Sequence, residues 1–136
     1  MNGSEAKPDL TEEKMNSAES DYFASARLTR QQARDSALNL LQEAAEQEDA
    51  SPSTADEASE EIQVLAAYTL KEAQIENLVT AKGYQDCVAF IGDDSVNVVV
   101  STDTGELKEE DVAKIKDIAL SETGFEAEKI KIMAAN

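Results

Sequence analysis

The sequence predicts an α+β domain with the element order α-α-β-β-α-β: a three-stranded sheet with helices packed on one face, preceded by a long N-terminal helix. Three observations lead there. Apolar residues recur at spacings of three and four from Tyr22 to Lys82, with one break at Glu48-Asp49-Ala50-Ser51-Pro52-Ser53. Two β-rich runs then flank Gly92-Asp93-Asp94, the pattern of an antiparallel hairpin. Last, a helical stretch from Glu109 to Thr123 leads into alternating Lys129, Ile130, Lys131 and Ile132.

Taken in order, residues 1–20 mix Asn, Gly, Ser, Glu, Lys and Pro with little apolar content, and read as a disordered linker holding at most a helical turn at Thr11 to Met15. Residues 21–136 form the domain. Its first helix spans Tyr22 to about Glu48, with Asp21 as N-cap and one stripe of Phe23, Ala26, Ala33, Ala37, Leu40, Leu41 and Ala44. The second starts at Thr54 in a capping box with Glu57 and stops at Gly83, a residue suited to the left-handed C′ position. Its apolar residues occupy two faces. Ile62, Leu65, Ala66, Leu70 and Ala73 lie on one; Val64, Tyr68, Ile75, Leu78 and Val79 lie on the other. Such a helix is sandwiched, here between the first helix and a sheet.

The strands are expected at Tyr84–Ile91, Ser95–Ser101 and Glu128–Ala134. Acidic residues fill the first turn of the third helix, where the dipole favours them, and Gly124 with Phe125 ends it. A right-handed crossover makes the second and third strands parallel. Placing the first strand between them leaves the second and third as edges. The uncovered face then carries Asn97, Val99, Lys129, Lys131 and either Cys87/Ala89 or Val88/Phe90, and part of it is expected to be sticky.

Composition removes several functions. With 29 Asp+Glu against 12 Lys+Arg, the formal charge is -17, a field that repels nucleic acid and anionic membranes. Histidine is absent, so the commonest general base and transition-metal ligand is missing. Cys87 stands alone, without a disulfide partner, a Cys-x-x-Cys spacing or an activating histidine, and reads as a small buried hydrophobe. No apolar run reaches the roughly 18–20 residues that span a bilayer, so the chain as given is expected to be soluble. Met1-Asn2-Gly3-Ser4-Glu5 reads as a start introduced for expression, leaving room for an upstream anchor. No catalytic residue, metal site or cofactor is predicted. Gly92-Asp93-Asp94 and Asp103-x-Gly105-Glu106 lack the spacing of an EF-hand and need only the turn tolerance of Asp and Gly. The nine acidic residues between Asp35 and Leu70 read as a solvated face.

What remains is protein interaction. Arg27, Arg30 and Arg34 are the only arginines and share a helical face. They either meet a partner's carboxylates or pair within the chain, the second being favoured. Exposed sheet edges accept added strands, which marks Val96, Val98, Lys129, Ile130, Lys131, Ile132 and Met133. Lys129 and Lys131 equally suit the role of charged guards against such pairing. The competing class is a soluble ferredoxin-like adaptor or small-ligand-binding domain, which would need an apolar cavity with convergent polar groups.

The element order resembles the ring-building motif of secretion and flagellar basal-body ring proteins. More specifically, the sequence is similar to the extracytoplasmic domain of the stage III sporulation protein AH family of endospore-forming Firmicutes. The resemblance covers roughly residues 21–134 and rests on Asp21-Tyr22-Phe23, Ala26-Arg27-Leu28, Ala33-Arg34 and Ala66-Ala67-Tyr68. It is clearest in Leu78-Val79-Thr80-Ala81-Lys82-Gly83-Tyr84-Gln85-Asp86-Cys87-Val88 and Val96-Asn97-Val98-Val99-Val100. It implies a non-catalytic domain between the mother-cell and forespore membranes, anchored to the former by an N-terminal helix absent from this chain. The implied partner is the extracellular domain of stage II sporulation protein Q, met during engulfment. Self-association in a ring, or contact with other stage III sporulation proteins, is implied as well. Residues 1–20 would then be the remnant of the tether.

Overall fold

A computed structural model describes the backbone of residues 2–47 and 49–135, and side chains from Tyr22 onward within them. Helix α1 runs Asn2–Glu46 and α2 Pro52–Ala81; β1 is Cys87–Ile91 and β2 Val96–Ser101. Helix α3 spans Glu109–Thr123, a 3-10 turn spans Ala127–Lys129, and β3 spans Ile130–Ala135. The predicted element order is therefore the observed one.

Helix α1 is longer than expected. It passes through the stretch read as a linker, and Asp21 lies inside it instead of capping it. The Glu-, Lys-, Ala- and Met-containing segment after Pro8 carries no stop signal, so nothing local ends a helix before Tyr22. The inward stripe also differs from the apolar one. Phe23 is fully buried, but Ala33 and Leu40 face solvent, and the positions turned inward between Ala26 and Ala37 are those of Arg27, Arg30 and Arg34.

Helix α2 begins at Pro52 and not at Thr54. Ser51 is the N-cap, its Oγ accepting the Thr54 N–H at 3.0 Å, and Pro52 sits where a missing N–H costs nothing. At the far end Lys82 caps, and Gly83 turns the chain with φ 110°. The sandwich is observed with only some of the predicted members. Ile75 and Val79 enter the core and Tyr68 packs against it, whereas Val64, Leu70 and Leu78 remain exposed.

The strand order is β1-β2-β3, with β1/β2 antiparallel and β2/β3 parallel. This corrects the expectation that the first strand is central and the second an edge. The short Gly92–Ser95 connection, closed by Gly92 N–H donating to the Ser95 carbonyl at 2.8 Å, keeps β1 beside β2. Helix α3 then returns the chain to the free side of β2. A central strand is buried on both faces, which explains the nearly continuous valines of β2.

One face of the sheet carries the main core: Cys87, Ala89, Ile91, Val96, Val98, Val100 and Ile130 meet Ile75 and Val79 of α2 and Ile115 and Ala119 of α3. Burying each such Val or Ile side chain is worth about 1.5–3 kcal/mol. The other face is partly covered, because Phe23 of α1 reaches past the β1 edge onto Val88 and Val99. Tyr22 stacks edge-on against Phe23 at 5.1 Å between ring centroids. Helix α3 ends at Gly124 in the left-handed conformation, φ 73°, as predicted.

A sealed strand edge and an open one

Both outer edges of the sheet are settled by strand register. The Asp86 carbonyl accepts the Ser101 N–H at 2.9 Å, and Gly92 bonds Ser95, so even-numbered β1 residues bond to β2. Cys87, Ala89 and Ile91 therefore turn their main-chain groups away from the sheet. In most sheets that row would be a template for another strand.

Here side chains occupy it. Cys87 N–H donates to Asp86 Oδ1 at 2.8 Å, Ala89 N–H to Glu76 Oε2 at 2.9 Å, and Ile91 N–H to Glu72 Oε2 at 2.8 Å. Arg27 Nη2 donates to the Cys87 carbonyl at 2.7 Å, and Arg30 Nη1 to the Ala89 carbonyl at 2.5 Å. The same groups pair with one another. Arg27 meets Asp86; Arg30 Nη1 lies 2.7 Å from Glu76 Oε2, and its Nε 3.5 Å from Glu72 Oε1. Arg34 grips Glu72 with both terminal nitrogens at 3.1 Å and donates to Thr69 Oγ1 at 2.7 Å. Three arginines from α1 thus face three carboxylates, Glu72 and Glu76 of α2 and Asp86 of the β1 approach. The charges cancel.

Burial gives this ladder its weight. The Glu72 side chain is fully buried, and those of Arg30 and Arg34 are only 19% and 15% exposed. A carboxylate so enclosed is tolerable only when cations and N–H donors surround it, which they do.

The β3 edge is different. The Ala135 carbonyl accepts the Thr102 N–H at 3.0 Å, so odd-numbered β3 residues bond towards β2 while Ile130, Ile132 and Ala134 turn their main-chain groups outward. No other strand among the described residues pairs there. Lys129 and Lys131 are exposed beside this edge, Lys129 at 3.9 Å from Asp94, and Met133 is 44% exposed on the partly covered face.

The ten predicted interface residues therefore separate into three groups. Arg27 and Arg30 seal the β1 edge directly, and Arg34 holds Glu72, which does so too. Val96, Val98 and Ile130 are core residues, because β2 is central and Ile130 faces α2 and α3; Ile132 is half-buried against the same core. Lys129, Lys131 and Met133 stay on the surface at β3. The residues that sequence reasoning missed are Glu72, Glu76 and Asp86. Their signal was present: carboxylates four residues apart, opposite arginines at three- and four-residue spacing.

Other polar groups have quieter settings. Burial pushes the Cys87 thiol up to about 12, with the Glu76 and Asp86 charges adding to it, which is the opposite of nucleophile activation. Burial, with the hydrogen bond from Tyr84 O–H to Asp111, pushes that phenol up to about 12, and the same bond lowers the Asp111 carboxyl. These two residues border an open recess of about 920 Å³ lined also by Thr102, Thr104 and Leu107. A second recess, about 390 Å³, lies along Arg27, Arg30, Arg34, Leu38 and Glu72. Among the described residues no group of three or more Cys, Asp or Glu side chains is arranged to hold a metal ion, and no helix is long and apolar enough to cross a membrane.

The fold is thus an α+β domain with one sheet edge closed by polar side chains and, among the described residues, no strand paired on the other. The sequence profile of the SpoIIIAH-like protein family matches residues 2–132, and the chain belongs to that family. Among solved structures, it is similar to a chain of the SpoIIQ–SpoIIIAH pore-forming complex: TM-score 0.74, 22% identity, covering 82% of this chain and 95% of that one. It is also similar to the type III secretion system protein EscJ of enteropathogenic E. coli, with TM-score 0.49, 22% identity, and 55% and 50% of the two chains covered. No curated protein matches the chain.

Proposed function

We propose that this chain is a non-catalytic assembly domain of a sporulation channel, docking through its β3 edge on the extracellular domain of a SpoIIQ protein. Family membership and the likeness to a chain of the SpoIIQ–SpoIIIAH complex support the setting. The observation that carries the docking mode is the inequality of the two sheet edges. β1 is sealed by five hydrogen bonds from side chains. At β3 the outward groups of Ile130, Ile132 and Ala134 stand beside exposed Lys129, Lys131 and Met133, so an incoming strand finds main-chain partners and anchoring side chains together. In this reading the domain sits outside the cytoplasm, between mother-cell and forespore membranes, and residues 1–20 link it to an anchor. A non-catalytic role fits the chemistry. Histidine is missing, the one thiol is buried with a raised pKa, and the buried carboxylate is bound to arginine.

The test is size-exclusion chromatography with light scattering, using the domain alone and mixed with the SpoIIQ extracellular domain of the same organism. A stable heteromeric peak, lost with Ile132→Pro, supports docking at β3. Two separate peaks at tens of micromolar would overturn it.

A further inference from the structure

The hydrogen-bonded ladder on β1 has an unusual construction. Its acceptors belong to α2 and to Asp86, but its guanidinium donors all come from α1. Among its described side chains, helix α1 contributes little to the apolar interior and packs chiefly along α2. The main core cluster contains no α1 residue, and Phe23 is the one fully buried α1 side chain among those described. Helices α2 and α3 with the three strands complete a core on their own. Lifting α1 would remove Phe23 from Val88 and Val99 and strip three cations from the β1 edge, leaving that core in place.

We infer that α1 is a latch over a second sheet edge: its release frees the outward carbonyls of Cys87 and Ala89 and leaves Glu72, Glu76 and Asp86, which keep the three outward N–H groups, without counter-charges. The segment that fits the freed edge is extended and basic. It supplies N–H donors to the two freed carbonyls and sets arginine or lysine side chains, two residues apart on one face, against the carboxylates that α1 abandons. On a chain of formal charge -17 this is where buried acid depends on removable cations. The latch is independent of the docking proposed for β3, which uses the opposite edge.

Native-state hydrogen exchange by NMR on the full chain tests it. The latch predicts that α1 opens apart from the core. The α1 amides around Arg30 exchange about tenfold or more faster than those of Val88, Phe90 and Ile115, and with a smaller denaturant dependence. The double variant Arg30→Ala/Arg34→Ala then raises exchange in α1 by about another tenfold, with Val88, Phe90 and Ile115 unchanged. Exchange of the α1 amides in step with Val88, Phe90 and Ile115 overturns the latch, as does unchanged α1 exchange in the double variant. The acceptor role is read in the same variant with two blocked hexapeptides, alternating Val-Arg and alternating Val-Glu. Shifts at Cys87, Ala89 and Ile91 with the arginine peptide alone support the basic partner. No shift at millimolar peptide, or equal shifts with both, overturns it.

Discussion

Glu72 and Ile91 lie nineteen residues apart, yet the Glu72 carboxylate accepts the Ile91 N–H at 2.8 Å while both of its oxygens hold Arg34. One side chain thus ties α1, α2 and the edge of the sheet together. Removing the carboxylate leaves two buried arginines and a main-chain donor with fewer partners. Glu72→Ala is expected to cost about 3–5 kcal/mol, the range for breaking a buried ion pair from one side. Glu72→Gln keeps an acceptor and a similar volume and should cost less. Urea denaturation of both variants checks the order.

Phe23 is buried against Val88 and Val99, on the face of the sheet away from α2 and α3. Phe23→Ala should cost about 3–5 kcal/mol. If α1 is released separately, far-UV circular dichroism of this variant will report loss of α1 in a first transition, with the remaining helix lost later.

Cys87 is fully buried, with its thiol pushed up to about 12 by burial and by the Glu76 and Asp86 charges. At pH 8 its alkylation by iodoacetamide should be slower than in the unfolded chain by about two orders of magnitude or more, following the thiolate fraction and access. Mass spectrometry with and without urea gives the ratio.

Tyr84 sets a high-pH limit. Its folded pKa of about 12 lies above the ordinary 10.0, so its contribution is fully present below pH 10 and is lost as pH rises towards 12. Asp111, lowered by the same hydrogen bond, contributes above its ordinary 3.8 and loses that contribution as pH falls below it. Tyr84→Phe should flatten both ends of the stability profile. Thermal unfolding at pH 3, 7 and 11 measures it.

At the β3 edge, Met133→Glu places a charge on the exposed side chain without disturbing the core. If β3 receives the SpoIIQ strand, this change should weaken the complex by about tenfold or more while leaving the unfolding midpoint within a few degrees. Isothermal titration alongside a melting curve separates the two effects.

The sequence displayed its elements because three periodicities were uninterrupted: the helical runs, the valines of β2, and the alternation in β3. The end of α3 was legible too, since only Gly124 is suited to its left-handed turn. Strand order was less visible. The valines of β2 are buried on both faces because the strand is central, but Val88 and Phe90 also gave β1 apolar residues on both sides, through the Phe23 contact. The α1 face was misread for a related reason. Apolar periodicity selects Ala33 and Leu40, whereas the helix turns arginines inward because carboxylates and strand carbonyls await them. A pattern that scores only hydrophobicity passes over a buried polar seam.

The inequality of the two sheet edges also sets a valence. With one end of the sheet closed, each domain has room for a single added strand, and that strand meets no second vacancy on the same copy. Stacking by edges stops after one step, so copies that meet edge to edge end as pairs and do not extend into fibres.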